Sequence, residues 1–190
     1  MNRIGFRLGA IFVLLMFPAC AVLEPNKRSV LIGPRVFFIL QPPDRGPEFN
    51  ALQKVSISSQ SGQHEDFLVA VENDRVSFRL ALFDSFGQTL LTLRLDDADI
   101  ATSVRVPLGP NLDPRRILGL IQLSLWPVDA LRQGLGEGER LLEKSSRREI
   151  WKYDKVILQI ETEGKQVPFR KILIESPVEG WRLDITTLEE

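Results

Sequence analysis

Apolar and polar residues alternate along several stretches of this chain, and this pattern is typical of strands with one buried face. The period of two is clearest where Ser77, Arg79 and Ala81 separate apolar neighbours. The alternating apolar positions are Val76, Phe78, Leu80 and Leu82; Leu91, Leu93 and Leu95; Val156, Leu158 and Ile160; Ile172 and Ile174; and Leu183 and Ile185. The sequence therefore predicts a mainly β fold of the α+β class.

Turn-forming residues separate these segments into short strands with tight connections. The breakers are Asn73-Asp74, Phe86-Gly87, Glu163-Gly164 and residues 177–180. Shorter candidate strands lie at residues 36–40, 55–59, 67–71 and 104–106 and around Trp151. Roughly nine to eleven such strands in sequence predict one curved antiparallel sheet, an open half-barrel.

Residues 111–135, NLDPRRILGLIQLSLWPVDALRQGL, depart from this pattern. Asp113 before a proline has the character of a helix N-cap, Pro127 interrupts the segment, and Gly134 can end a second short helix. Residues 121–125 also alternate as a strand would, so periodicity alone leaves both structures open. The cap and the proline favour helix–break–helix. A helix that is apolar on almost every side must be covered on every side, so we expect it in or over the concave face of the sheet.

Residues 1–19 have the layout of an export signal. Arg3 and Arg7 form a basic start, and a run of about a dozen apolar or small residues follows, shorter than the ~20 that span a bilayer. Cys20, the only cysteine, comes directly after this run. The A-x-A rule of ordinary signal peptidase would remove Cys20, whereas the stretch from Phe17 to Cys20 resembles the lipobox of bacterial lipoproteins. Both cleavages stay open, and the avoidance of cysteine elsewhere favours the lipobox.

The lipobox resemblance implies that Cys20 is acylated and anchors the protein to a membrane. Ala21, rather than an aspartate, follows the cysteine, and by enteric-type sorting this implies the outer membrane, with the protein facing the periplasm. Residues 20–35, with Pro25 and the Gly33-Pro34 pair, are predicted to be the lipidated N-terminus and a tether. Residues 36–190 are predicted to form a single domain.

Charge and reactive side chains exclude several classes of function. The net charge is −1, and removal of residues 1–19 leaves 22 basic and 25 acidic residues, so we expect no nucleic-acid partner. His64, the only histidine, lies in a polar stretch and is expected to be a solvated loop residue. The acidic group of Asp96, Asp97 and Asp99 lacks the spacing of a calcium loop, so a turn is expected there.

The remaining polar motifs are equally poor in reactive groups. Arg115-Arg116 and Arg147-Arg148 could meet a lipid headgroup or phosphate, but a solvated helix start and a solvated strand explain them more simply. The stretch QGLGEGER lacks the lysine and the context of a phosphate loop, and no G-x-S-x-G elbow is present. We therefore expect no metal, no cofactor and no catalytic activity.

Three segments carry a family resemblance: ILGLIQLSLWPVDALRQGL, ERLLEKSSRREIWKY and VPFRKILIESPVEGWRLDITTLE. They resemble a family of small bacterial lipoproteins of unknown function, often found beside genes for aryl polyene pigments. That family is remotely similar to the outer-membrane lipoprotein receptor LolB and the periplasmic carrier LolA. The resemblance implies an open half-barrel whose hollow, lidded by helices, accepts the acyl chains of a lipoprotein.

The inward residues of the alternating strands and the predicted lid are the candidate walls of such a hollow, and the resemblance also implies a membrane contact and partners. The walls of the hollow would be Val76, Phe78, Leu80, Leu91, Leu93 and Leu158 from the strands, with Ile117, Leu120, Ile121 and Trp126 from the lid. Phe86, at the tip of LFDSFGQTLL, would correspond to an apolar residue that contacts the membrane in LolB, although it could equally fold back onto the core. Implied partners are the membrane, a lipid or lipoprotein acyl chain, and a LolA-like carrier.

Two functions from different classes therefore remain. A lipid-handling protein would bind or transfer an acyl or polyene chain in the hollow. A structural or interaction protein would fill the same space with those side chains and bind an envelope partner through its surface. An apolar content of 44% is ordinary for a globular domain and does not separate them.

Overall fold

The computed structural model describes residues 27–97, 99–106 and 113–188. Cys20, the export signal and the acylation site predicted there lie outside these residues. The strands are β1 (Ser29–Gly33), β2 (Val36–Ile39), β3 (Phe49–Ser59), β4 (His64–Asn73), β5 (Phe78–Phe83), β6 (Thr89–Leu95), β7 (Ile100–Val104), β8 (Glu139–Lys144), β9 (Arg147–Lys152), β10 (Lys155–Glu163), β11 (Lys171–Ser176) and β12 (Trp181–Leu188). The helices are α1 (Pro114–Leu125) and α2 (Val128–Arg132), and a 3-10 turn spans Pro43–Arg45.

Ten of the strands form one antiparallel sheet in the order β7-β6-β5-β4-β3-β12-β11-β10-β9-β8, which does not close into a barrel. Every neighbouring pair except β3 and β12 is consecutive in the chain, so hairpins build both halves of the sheet. β1 and β2 form a separate hairpin. The predicted mainly β fold with an open antiparallel sheet is confirmed.

One face of the sheet carries the apolar core. In β5 and β6, Leu80 lies opposite Leu93, and both are buried. Their chain neighbours Arg79 and Arg94 point to the other face and are exposed. The predicted alternation is therefore confirmed for these strands.

Val76 is the exception, and its predicted place in the buried wall is wrong. β5 begins at Phe78, and Val76 lies in the preceding turn with 73% of its surface exposed. The Asp74 carboxylate accepts hydrogen bonds from the backbone N–H of Val76 at 2.9 Å and of Ser77 at 2.6 Å. Because of this turn, β5 begins two residues later than the sequence pattern indicates.

The predicted helix–break–helix is confirmed. The Asp113 side chain accepts the Arg115 N–H at the start of α1, and Pro127 separates the two helices. Residues 118–125 of α1 are all buried. On one side, a Cβ added at Gly119 would lie 2.9 Å from Val30 of β1, so glycine permits this close approach to the hairpin. On the other side, the Trp126 ring at the helix end packs edge-on against Phe78 of the sheet at 5.4 Å.

One predicted boundary needs correction, and one strand was not predicted. β1 lies within residues 20–35, predicted to be a tether, yet Val30 and Ile32 belong to the core with 3% and 0% exposure. β8 has no counterpart among the predicted strands. It is an edge strand whose charged residues leave only Leu141 buried, so it lacks a continuous apolar period.

Candidate functional site

The other nine predicted wall residues belong to one apolar cluster between the sheet and α1. Eight of them are 0–7% exposed, and Ile117 is partly buried against the same cluster. They are Phe78, Leu80, Leu91 and Leu93 from β5 and β6, Leu158 from β10, and Ile117, Leu120, Ile121 and Trp126 from α1 and its C-terminal end. Strands distant in sequence therefore contribute to one surface, as the pattern predicts.

α1 covers this apolar surface in the structure. The rings of Phe49 and Trp126 meet edge-on at 6.3 Å, and Phe78 packs against both. Because α1 is buried over residues 118–125 and Trp126 at its end packs on Phe78, the helix lies against the apolar face of the sheet. An acyl chain could reach the wall residues only if α1 moved.

A groove of about 500 Å³ lies on the opposite face of the sheet. Small residues on adjacent strands, among them Ala70, Ala81 and Ala101, leave this space, and Glu72 and Arg79 border it. Since side chains alternate between the faces, these residues point away from Leu80 and Leu93. The groove is thus separate from the predicted wall.

Arg148 of β9 binds the C-terminal end of α1 through hydrogen bonds to its backbone. Its Nη1 donates hydrogen bonds to the backbone carbonyls of Leu123 at 2.9 Å, Ser124 at 3.1 Å and Trp126 at 2.9 Å. Its Nε donates to Glu143 at 2.8 Å, and its side chain is 13% exposed. The guanidinium satisfies carbonyls that have no partner within the helix and lies where the helix dipole is negative. The prediction of a solvated strand residue is wrong for Arg148.

Gln122 makes the central polar attachment of α1. Its Oε1 accepts the backbone N–H of Gln41 at 2.8 Å, and its Nε2 donates to the Gln41 carbonyl at 2.9 Å. Both residues are buried. The amide therefore joins the middle of the helix to the loop after β2 through one donated and one accepted hydrogen bond.

Arg116 attaches the N-terminal part of α1 to the turn between β11 and β12. It forms an ion pair with Glu179, and its guanidinium lies 5.0 Å from the centre of the Trp181 ring. Burial raises the pKa of Glu179, but the hydrogen bonds from Arg116 and Trp181 and the charge of Arg116 lower it more, so the net pKa lies below its ordinary value. With 19% of its side chain exposed, Arg116 is not the solvated residue that the sequence predicts.

Phe86 projects from the turn between β5 and β6 with 94% of its surface exposed, so the alternative in which it folds back is wrong. The Asp84 carboxylate accepts the backbone N–H groups of Phe86 at 2.9 Å and Gln88 at 2.8 Å. Gly87 has a φ of +80°, which glycine adopts without strain. The turn is therefore ordered by its own hydrogen bonds and presents an uncovered ring.

Two buried polar atoms in this region have no hydrogen-bond partner among the described residues: Trp126 Nε1 and Asn73 Oδ1. Asn73 lies opposite both Phe49 and Phe78, the two residues whose rings pack against Trp126. One hydrogen-bond donor and one hydrogen-bond acceptor, each without a partner among the described residues, therefore lie in the same part of the core.

The other candidate residues lie apart from this surface. His64 is at the exposed start of β4, with its Nε2 3.3 Å from Asp66. Asp96 and Asp99 form the turn between β6 and β7, where the Asp96 carboxylate accepts the Asp99 N–H at 3.0 Å. Within the described ranges, no three His, Cys, Asp or Glu side chains group as metal ligands, and no helix is long and apolar enough to cross a bilayer.

The three polar attachments of α1, through Arg116, Gln122 and Arg148, were not predicted from the sequence. An arginine pair next to a predicted helix or strand signals charge, but it does not say which member is buried. Only Gln122, a polar residue within an otherwise apolar helix, gave a signal that could have identified a buried hydrogen bond.

Comparison with known proteins gives one family match. Residues 50–189 match a family described as "Protein of unknown function (DUF3261)". No curated protein matches the chain.

Proposed function

Because the chain belongs to the DUF3261 family, whose description assigns no activity, we propose from its fold that it binds a lipid chain. In this proposal it is a periplasmic lipoprotein, anchored to the outer membrane through Cys20, and it binds or transfers an acyl or polyene chain. The cargo could be a free lipid or the acyl group of a lipoprotein. No catalytic residue, metal or cofactor takes part.

One observation carries the proposal: a separate helix covers the apolar face of an open sheet. The sheet does not close on itself, and α1 lies against its apolar face, between the sheet and the β1–β2 hairpin. Movement of α1 would expose the apolar wall to a chain without breaking any pairing of the ten-stranded sheet. The polar attachments through Arg116, Gln122 and Arg148 would then hold the closed form.

The resemblance to LolB and LolA adds a direction of transfer to this proposal. A LolA-like carrier would deliver the cargo, and the lipidated N-terminus would keep the receiving protein at the membrane. The likeness to lipoproteins encoded near aryl polyene genes makes a polyene lipid one candidate cargo. Phe86 would contact the membrane, since an exposed aromatic ring on an ordered turn can enter the interface.

Native mass spectrometry tests this proposal directly. The chain from residue 21 onward would be exported to the periplasm, purified without detergent, and analysed before and after solvent extraction. We expect a bound mass that extracts as an acyl or polyene species. A bare polypeptide mass, together with no binding of an apolar dye, would contradict the proposal.

A second function, a non-catalytic interaction protein with a filled core, is favoured by the close packing of the wall. The predicted wall residues in β5 and β6 are at most 3% exposed, and three aromatic rings contact one another beside them. Such a core needs no cargo. Its binding partner would be a component of the cell envelope that contacts the outer surface.

Leu80→Phe distinguishes the two functions. In a lipid-binding protein whose α1 moves, the larger ring narrows the site, and dye or lipid uptake should fall severalfold with little change in stability. In a permanently filled core, overpacking should cost about 1–3 kcal/mol, and no uptake should be measurable in either form. Ala81→Phe, one residue along on the opposite face, is the matched control and should leave uptake unchanged.

A further inference from the structure

β7 is an edge of the ten-stranded sheet, and no strand among the described residues pairs with its outer side. Its sequence, IATSV, contains no charged residue, and its last four residues are exposed. The other edge, β8, has the sequence ERLLEK, with charged residues at four of its six positions. Natural sheets protect edges with charges, prolines or bulges. β8 has this protection and β7 does not.

The hydrogen-bonding pattern shows which backbone groups of β7 point outward. Arg105 donates its backbone N–H to Leu90 at 2.9 Å, so Arg105 belongs to a hydrogen-bonded pair with β6. In an antiparallel ladder such pairs alternate with pairs whose N–H and C=O groups point away. The outward groups are therefore those of Ile100, Thr102 and Val104. In agreement, the Ile100 N–H donates to the Asp99 carboxylate at 2.8 Å and not to β6.

We propose that β7 pairs antiparallel with β7 of a second copy of this chain, about a two-fold axis at Thr102. In this arrangement Thr102 lies opposite Thr102 of the other copy, and Ile100 lies opposite Val104. All three positions carry outward N–H and C=O groups, so each pair can exchange two backbone hydrogen bonds. The two sheets become one continuous sheet.

Charge complementarity supports this register. With Thr102 at the centre, Asp99 of each copy lies opposite Arg105 of the other, which gives one opposite-charge pair at each end of the interface. Both side chains are exposed, and Arg105 has no ion pair among the described residues. When the Ile100 N–H bonds to the second copy, the Asp99 carboxylate is released to contact Arg105.

Alternative registers fit less well. If the two-fold axis is shifted by one residue, outward backbone groups still lie opposite each other. The number of paired positions falls, however, and Asp99 no longer lies opposite Arg105. A pairing of β7 with β8 would place an uncharged strand against Glu139, Arg140, Glu143 and Lys144. The symmetric pairing of two β7 strands pairs all three outward-facing residues and places Asp99 opposite Arg105 at both ends.

Disulfide trapping of the full chain in membranes tests the proposal. Two Thr102→Cys residues would lie opposite each other with Cα atoms about 5.5 Å apart, within the range that a disulfide spans. Mild oxidation should give a covalent dimer in which the tryptic peptide 95–105 is linked to itself. Leu142→Cys, an equally accessible position on β8 with 49% exposure, is the matched control and should stay monomeric.

Charge reversal tests the register. In the Thr102→Cys background, Arg105→Asp places two carboxylates opposite each other at both ends, and the dimer yield should fall at least threefold. Adding Asp99→Arg should restore it, because the opposite-charge pairs are formed again with the signs exchanged. A structural effect of Arg105→Asp on the monomer would not be reversed in this way.

Three outcomes would overturn the proposal. They are a Thr102→Cys chain that stays monomeric under oxidation, a Leu142→Cys chain that cross-links equally well, and a link from residue 102 to a different protein. A dimer yield that is unaffected by Arg105→Asp would overturn the Thr102-centred register. Native mass spectrometry of lipid binding is independent of all these outcomes, so failure of the dimer and failure of the lipid-binding function are distinguishable.

Discussion

Arg147 and Arg148 are chain neighbours in β9, but their surroundings differ. Arg148 is 13% exposed and donates to three carbonyls at the end of α1, whereas Arg147 is 43% exposed and pairs with Glu149 and Glu161 at the surface. Arg148→Met keeps the apolar stem but leaves those carbonyls and Glu143 without their donor. We expect a loss of about 2–4 kcal/mol in the free energy of unfolding.

Urea denaturation measures this loss, and Arg147→Met is the control. Removing an exposed ion pair costs about 0–1 kcal/mol, so the two variants should differ clearly. Equal losses would mean that the contacts of Arg148 with α1 contribute no more than a surface ion pair.

Glu179 should make stability depend on pH. Its pKa is lower in the folded protein than in the unfolded chain, so its ion pair with Arg116 contributes fully above the ordinary carboxyl pKa of roughly 4. The contribution is lost as the pH falls through the lower, folded pKa. Glu179→Gln should therefore be less stable by about 1 kcal/mol at pH 7, with the difference vanishing at low pH.

Thermal unfolding between pH 7 and pH 3 checks this behaviour. Glu137→Gln, which changes an exposed carboxylate without an ion pair among the described residues, should follow the unsubstituted chain at every pH. A Glu179→Gln difference that stays constant with pH would contradict the role of this carboxylate.

The residue scale is also where the sequence predicted least. The burial of Phe78, Leu80 and Leu158 followed from the alternation of apolar positions, because that pattern depends only on the local chain. The environment of Arg148 depends on a contact with residues 123–126, which lie on another element. No local pattern reports that contact, so the buried arginine was predicted to be solvated.

Among the elements, α1 was predictable because its ends are encoded locally. Asp113 accepts the Arg115 N–H at the start, and Pro127 prevents continuation after Trp126. β8 and β1 were not predicted. β8 buries a single residue, and β1 is a short strand next to Gly33-Pro34, a pair that also suits an extended tether. β8 is a strand because it pairs with β9, and β1 because it pairs with β2. Neither has a clear alternation of apolar and polar residues.

The β5–β6 turn has a testable role of its own. Phe86→Glu replaces an uncovered ring by a charge that a membrane interface rejects. The proposed lipid-binding protein should still load cargo but release it to vesicles at least fivefold more slowly, as measured by transfer of a fluorescent lipid. Ser85→Glu adds the same charge one residue earlier and should have a smaller effect. If Phe86→Glu leaves the rate of lipid transfer to vesicles unchanged, the turn takes no part in transfer.

At the scale of the whole molecule, the fold begins earlier than the predicted domain start at residue 36. Val30 and Ile32 of β1 are buried against α1 and the core. A chain that begins at Val36 should therefore be less stable than one that begins at Lys27 by about 3–5 kcal/mol, the loss expected from two buried aliphatic side chains. Guanidinium denaturation measures the difference, and equal stability would show that the hairpin is dispensable.

The openness of the sheet was predictable, but the state of its interior was not. Many short strands with tight turns indicate one antiparallel sheet, and the order of the ten strands agrees with that prediction. A solid core and a lipid-binding hollow both require apolar residues such as Leu80 and Ile121 at the same positions. The difference between them depends on where α1 lies, which is a tertiary property.

The unequal edges of the sheet have a consequence for assembly. If two copies join through β7, each remaining edge is a β8 strand with charges at Glu139, Arg140, Glu143 and Lys144. Those charges disfavour the addition of further strands. Growth would therefore stop at two copies, whereas head-to-tail pairing of unlike edges would propagate into fibrils. The protein could then be concentrated at a membrane without polymerising.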